Sequence, residues 1–89
     1  MPTSDIFRIY TEEKNKRDIV RLAGEAFDNF TLQPTLGYYK GKPEKSIVIE
    51  IIGAREPAVK ELALSIKTMN GQKSVLTMKL RGQAKITRN

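Results

Sequence analysis

The 89-residue chain has no cysteine, no histidine and no tryptophan. Without cysteine there is no disulfide, no thiolate metal site and no thiol nucleophile. Without histidine the commonest general acid/base and the commonest transition-metal ligand are gone too. No apolar run approaches the roughly 20 residues that a membrane helix needs, so no membrane partner is expected. Met1-Pro2-Thr3-Ser4-Asp5 shows no basic region followed by an apolar stretch, so no secretory signal is expected and a cytoplasmic location is. These absences remove most routes to catalysis. No catalytic group, metal or cofactor is expected.

What is present fits one folded domain spanning residues 1–89, with ends fraying at about 1–4 and 83–89. Hydrophobic residues make up 39% and charged residues 29%, the balance of a globular chain rather than a disordered one. A domain this small must share one core among all its elements, or gain stability by association with copies of itself. The net charge of +6 is uneven. Residues 1–30 carry a net −1, residues 31–60 a net +2 and residues 61–89 a net +5. The last third holds Lys67, Lys73, Lys79, Arg81, Lys85 and Arg88; a second cluster is Lys40, Lys42 and Lys45. Such charge attracts nucleic acid, nucleotides or acidic proteins, or it serves solubility alone.

Residues 5–11 (DIFRIYT) alternate as a strand, with Phe7 and Ile9 on one face and Ile6, Arg8 and Tyr10 on the other. Asn15 suits a helix N-cap, with Asp18 three residues on. Within residues 16–28, Ile19, Leu22, Ala23, Ala26 and Phe27 form an amphipathic stripe. Gly24 costs about 1 kcal/mol there, and close packing on a sheet would explain it. Residues 31–40 read as a weaker strand, placed at a sheet edge by Pro34, which has no amide donor. A basic turn over residues 40–45 leads to SIVIEIIG, residues 46–53, which is apolar on both faces and therefore central. Pro57 opens a second helix with the stripe Val59, Leu62, Ala63 and Ile66, and Asn70-Gly71 stops it. Residues 74–80 alternate Leu76, Met78 and Leu80 against Val75, Thr77 and Lys79; Gly82 suits a bulge, after which residues 83–87 continue extended.

The order β-α-β-β-α-β, with right-handed crossovers, predicts an α+β ferredoxin-like sandwich: a four-stranded antiparallel sheet with two helices on one face. Placing the more apolar set of each strand inward puts Leu32, Leu36, Leu76, Met78 and Leu80 under the helices with Phe7, Ile9, Ile47, Ile49 and Ile51. The open face then carries Ile6, Arg8, Tyr10, Tyr39, Val48, Glu50, Ile52, Val75, Thr77 and Lys79. That face is too apolar to be left in water. It predicts self-association through Ile6, Arg8, Tyr10, Val48, Glu50, Ile52 and Lys79, unless the hairpin or the last segment folds over it.

Two other features invite a functional reading. The tip around Tyr39, Lys40, Lys42 and Lys45 offers lysines and an aromatic ring to an anionic ligand or an acidic partner; it has no GxxxxGK[ST] pattern and joins two strands. Glu50, a carboxylate in an apolar strand, suits either a base or an ion pair with Arg8 or Lys79. The RNA-recognition motif is excluded, because SIVIEIIG stands where its third strand needs aromatics. In its element order, charged hairpin and open face, the chain resembles the PII-like and CutA-like proteins. That resemblance implies association through the sheets, ligands near subunit clefts and the hairpin as contact loop. The segment GYYKG…EKS within residues 37–49 also resembles a hairpin of small uncharacterised phage and mobile-element proteins. The expectation is a non-enzymatic, homo-oligomeric binding or regulatory module. The alternatives are a nucleic-acid-binding protein using the basic C-terminal third, and a small enzyme with Glu50 as base.

Overall fold

The computed structural model describes residues 3–83. The elements run β1 (Thr3–Glu12), α1 (Lys16–Ala26), β2 (Thr31–Tyr39), β3 (Lys42–Ile52), α2 (Glu56–Asn70) and β4 (Leu76–Gln83). The strands form one antiparallel sheet in the order β2-β3-β1-β4. This is the ferredoxin-like sandwich, with β1 and β3 central and β2 at an edge, where the missing amide of Pro34 is tolerated. No helix among the described residues is long and apolar enough to cross a membrane.

One core lies between sheet and helices. Phe7, Ile9, Ile47, Ile49 and Ile51 from the central strands meet Ile19 and Ala23 of α1 and Val59, Leu62, Ala63 and Ile66 of α2. Each buried Ile or Leu contributes about 1.5–3 kcal/mol relative to exposure, so this set carries most of the driving force. Of the stripes read from the 3.6-residue period, Ile19, Ala23, Val59, Leu62, Ala63 and Ile66 are buried and Leu22 and Phe27 pack partly against them, whereas Ala26 is exposed. Gly24 is a correction: it faces solvent, and a Cβ there would meet nothing within 4 Å.

A buried polar cluster fastens the ends of both helices. Asn70, the last residue of α2, accepts from Asn15 Nδ2 at 2.9 Å and donates to Gln72 Oε1 at 2.9 Å. The Thr11 hydroxyl donates to the same Gln72 oxygen, and Lys14 Nζ donates to the Asn70 carbonyl at 2.8 Å. The expected N-cap is therefore corrected. Asn15 sits in the left-handed region (φ 55°) rather than the extended one a cap adopts, makes no side-chain cap, and donates its side-chain amide to Asn70 instead. Gly71 closes α2 with φ 65°, as Asn70-Gly71 predicts; its amide donates to Thr68 O and that of Gln72 to Lys67 O.

Two strand assignments also change. The β2–β3 turn is two residues, Lys40 (φ 49°) and Gly41 (φ 77°), and Lys42, Pro43, Glu44 and Lys45 belong to β3 rather than to a six-residue tip. At the other end, Thr3 pairs with Gln83 and Ser4 with Gly82 in unbroken register, so Gly82 is no bulge and the paired strands extend beyond the expected limits. Residues 84–87 of the expected extension, and Lys85 and Arg88, lie outside the described residues.

The largest correction concerns β4. Directly opposed residues share a face, and β1 pairs Ile6 with Leu80, Arg8 with Met78 and Tyr10 with Leu76. The apolar set of β4 therefore points to the open face, while Val75, Thr77 and Lys79 take the helix side. Lys79 thus leaves the expected sheet interface. Its ammonium lies 3.2 Å from Glu56 of α2 and 3.8 Å from Asp5, and 5.9 Å from the Phe7 ring centroid. β4 is an edge strand, and at the flank of α2 its inner side is open enough for an ammonium with carboxylate partners. Burial of the more apolar set was never forced there.

Two outcomes follow from this packing. Gly24→Ala should stabilise the fold by about 0.5–1 kcal/mol, since helix propensity rises and nothing clashes; chemical denaturation measures it. The Glu56 carboxyl is held below its ordinary value of 4.5, first by its hydrogen bond to Lys79, then by the charges of Lys79 and Lys60. A lowered carboxyl adds stability above its unfolded-state pKa and loses it as pH falls through the folded one. Glu56→Gln should therefore lose less thermal stability than the wild type between about pH 5 and pH 3; because the pair is exposed, the difference is small.

Candidate functional site

Three connections meet at one end of the sandwich. β1 reaches that end at Glu12, opposite Ser46, and the Glu13 amide donates to Lys45 O at 3.3 Å. Beyond this pairing β2 and β3 continue as a two-stranded arm, residues 36–45. The polar cluster of Thr11, Asn15, Asn70 and Gln72 brings the start of α1 and the end of α2 to the same end.

The arm presents Tyr38 at 70% exposure and Tyr39 at 62%. Tyr39 and Lys42 are opposed and share the open-face side, and Lys40 Nζ lies 5.5 Å from the Tyr39 ring centroid. Lys45 is opposed to Leu36, on the helix side of the arm. The four expected binding residues are therefore divided: Tyr39, Lys40 and Lys42 come together, and Lys45 stands behind them.

A cleft of about 730 Å³ lies between the arm and the ends of β1 and β4, lined by Tyr10, Tyr39 and Leu76 among others. Its charged lining is Glu12, Glu13, Glu44 and Lys45, three carboxylates to one ammonium. The cleft is thus no anion cradle, and apart from Lys45 the positive charge of this end lies outside it. Lys14, Lys16 and Arg17 flank the start of α1, Lys67 lies in the last turn of α2, and Lys73 follows it. With Lys40, Lys42 and Lys45 they make eight cations against Glu12, Glu13, Asp18 and Glu44. Elsewhere in the described residues six cations face six carboxylates. Every ion pair among the described residues uses a cation from that second group: Arg8, Arg21, Lys60, Lys79 or Arg81. The basic third expected from the sequence is therefore split. Lys67 and Lys73 join the arm's end, whereas Lys79 and Arg81 are held by Asp5 and Glu56.

The open face carries three rows across β4, β1 and β3: Leu80–Ile6–Ile52, Met78–Arg8–Glu50 and Leu76–Tyr10–Val48. Leu76 and Ile52 are each 57% exposed, Met78 40% and Leu80 37%. Sequence parity missed the three β4 members; the unbroken pairing with β1 is what reveals them. The β2 side of the face is polar, with Thr31, Gln33 and Thr35. Arg8 Nε lies 2.8 Å from Glu50 Oε2 in the middle of the face. This hydrogen bond, then the neighbouring Tyr10, raises the Arg8 pKa against the opposing effect of burial. Glu50 is thus the partner of Arg8, one of the two cations weighed for it, and a shallow groove of Thr31, Gln33 and Thr35 adjoins the pair.

No family model matches the chain, and no curated protein matches it. Solved structures share its fold along almost its whole length. A DUF3240 family protein from Shewanella baltica has a TM-score of 0.69 at 15% identity, with 100% of each chain covered. A phage SAM lyase in its apo state has a TM-score of 0.65 at 16% identity, covering 97% of this chain and 94% of that one. CPII from Thiomonas intermedia, a nitrogen regulatory PII-like protein bound to ADP, AMP and bicarbonate, has a TM-score of 0.62 at 17% identity, covering 96% and 98%. CutA1 from Oryza sativa shares the fold as well. The likeness to PII-like and CutA-like proteins seen in the element order is thus a likeness of fold: the chain is a ferredoxin-like sandwich of the kind found in these proteins.

Proposed function

We propose that the protein is a non-enzymatic binding or regulatory module that self-associates through its open sheet face. In this reading the arm, with Tyr39, Lys40, Lys42 and Lys45, contacts an anionic ligand or acidic partner. The observation that carries it is the open face. Leu76, Met78, Leu80 and Ile52 lie exposed and contiguous with Ile6 and Tyr10. Covering the four exposed side chains would gain roughly 1 kcal/mol each, given that each is already partly buried. Patches of this kind mark interfaces. The Arg8–Glu50 pair suits the centre of such a face, since each charge already has its partner and neither would be stranded by burial. The same pairing supports a non-enzymatic role, because it occupies the carboxylate best placed to act as a base. A PII-like protein of this fold is regulatory and holds nucleotides, while a phage protein of the fold is a lyase. Regulation is favoured here by the absence of histidine and cysteine from the chain.

Light scattering across a concentration series should show a homo-oligomer. Met78→Glu should weaken it by about tenfold or more, the equivalent of ~1.4 kcal/mol. The new carboxylate would lie opposite Arg8, so the subunit should stay folded by circular dichroism. A wild-type monomer at high micromolar concentration would overturn self-association.

A further inference from the structure

We infer that the arm's end of the sandwich is a binding surface for single-stranded nucleic acid, formed jointly by the arm, the start of α1 and the end of α2. This deepens the assignment of the arm as the contact element and rests on it, but it does not depend on self-association. The carrying observation is the segregation of charge. The eight cations at this end come from three segments remote in sequence, and none of them has a carboxylate within 4.0 Å among the described residues. Elsewhere among the described residues the charges are balanced, and five of the six cations have a carboxylate within 4.0 Å. A solubility charge has no need of that separation, whereas a polyanion does: cations without internal partners are free to neutralise phosphates and release their counterions.

The form of the arm narrows the choice among polyanions. Two tyrosines, both more than 60% exposed, alternate sides along a projecting ribbon, and a lysine lies beside one ring. Exposed rings flanked by cations stack on unpaired bases with little regard for sequence. An acidic polypeptide offers carboxylates but no flat rings to cover these faces. The neighbouring cleft, lined by Glu12, Glu13 and Glu44, argues against a small anion seated inside. Tyr38 and Tyr39 both border that cleft, so bases stack at its rim while the backbone follows the outer surface of the arm and the adjoining helix ends. The surface is not the C-terminal basic third, because Lys79 and Arg81 are engaged at the opposite end.

The test is fluorescence anisotropy with a labelled oligothymidine of about 12 nucleotides. Four neutralised phosphates would weaken binding about 50-fold between roughly 50 and 200 mM salt. Lys67→Glu with Lys73→Glu should lower affinity at least about tenfold, as should Tyr38→Ser with Tyr39→Ser. Arg55→Glu with Lys60→Glu, the same charge change at the far end, should change it less than about threefold. Thermal melts establish that each variant is folded. Absence of wild-type binding at about 50 mM salt overturns the inference while leaving the arm free to contact another partner. Equal losses from the two charge reversals overturn it as a mere effect of net charge. Displacement of the oligonucleotide by polyglutamate of equal charge, with the tyrosine variants unaffected, overturns it in favour of an acidic protein. Tyrosine variants of the arm that bind as the wild type does overturn the arm's role itself.

Discussion

β1 pairs along both of its edges, with β3 on one side and β4 on the other, and this double pairing sets the face on which every side chain of the sheet appears. Ile6 has Ile52 and Leu80 as its two neighbours, and Phe7 has Ile51 and Lys79. A shift of one residue in either ladder would exchange inside for outside along a whole strand. The isoleucine-rich β3 and the Phe7/Ile9 pair of β1 leave no freedom in the central ladder, because only one register buries all of them together. β4 then inherits its parity from β1, whatever its own composition.

That inheritance explains the arrangement of apolar and charged surface. With Leu76, Met78 and Leu80 turned outward, the open face gains an apolar flank along an exposed edge. With Lys79 turned inward, two carboxylates find their cation at the margin of α2. The far end of the sandwich is electrostatically closed as a result. The arm's end is built differently. Its contacts are hydrogen bonds centred on the buried amide of Asn70, and they join the β1–α1 and α2–β4 connections without pairing a cation with a carboxylate. Lys14 alone among the eight cations there is tied down, through a backbone carbonyl rather than a carboxylate.

Most of the fold was legible locally. Ile19 and Ala23, and Val59, Leu62, Ala63 and Ile66, are buried as their helical spacing predicts. Pro34 marks an edge because a missing donor has the same consequence in any sheet. Asn70-Gly71 ends its helix because the left-handed conformation favours glycine. The parts that were not legible depend on a partner strand or a remote side chain. Lys40-Gly41 reads as a loop with four residues to follow until β2 is seen to pair Tyr39 with Lys42. Asn15 looks like a cap until Asn70 claims its amide. Of the expected binding residues, Tyr39, Lys40 and Lys42 do converge, while Lys45 is turned away by the alternation of its strand.

The sequence by itself determined the number, order and type of the elements and what β1, β3 and the two helices give to the core, since hydrophobic period, proline and glycine act within a few residues. It also determined the absence of histidine and cysteine chemistry. Only the tertiary structure decided which face β4 offers, which lysines are paired and which are free, and that residues 12–18, 36–45 and 67–74 share one end. Those outcomes are set by interstrand register and by long-range hydrogen bonds, whose partners lie up to 61 residues apart along the chain.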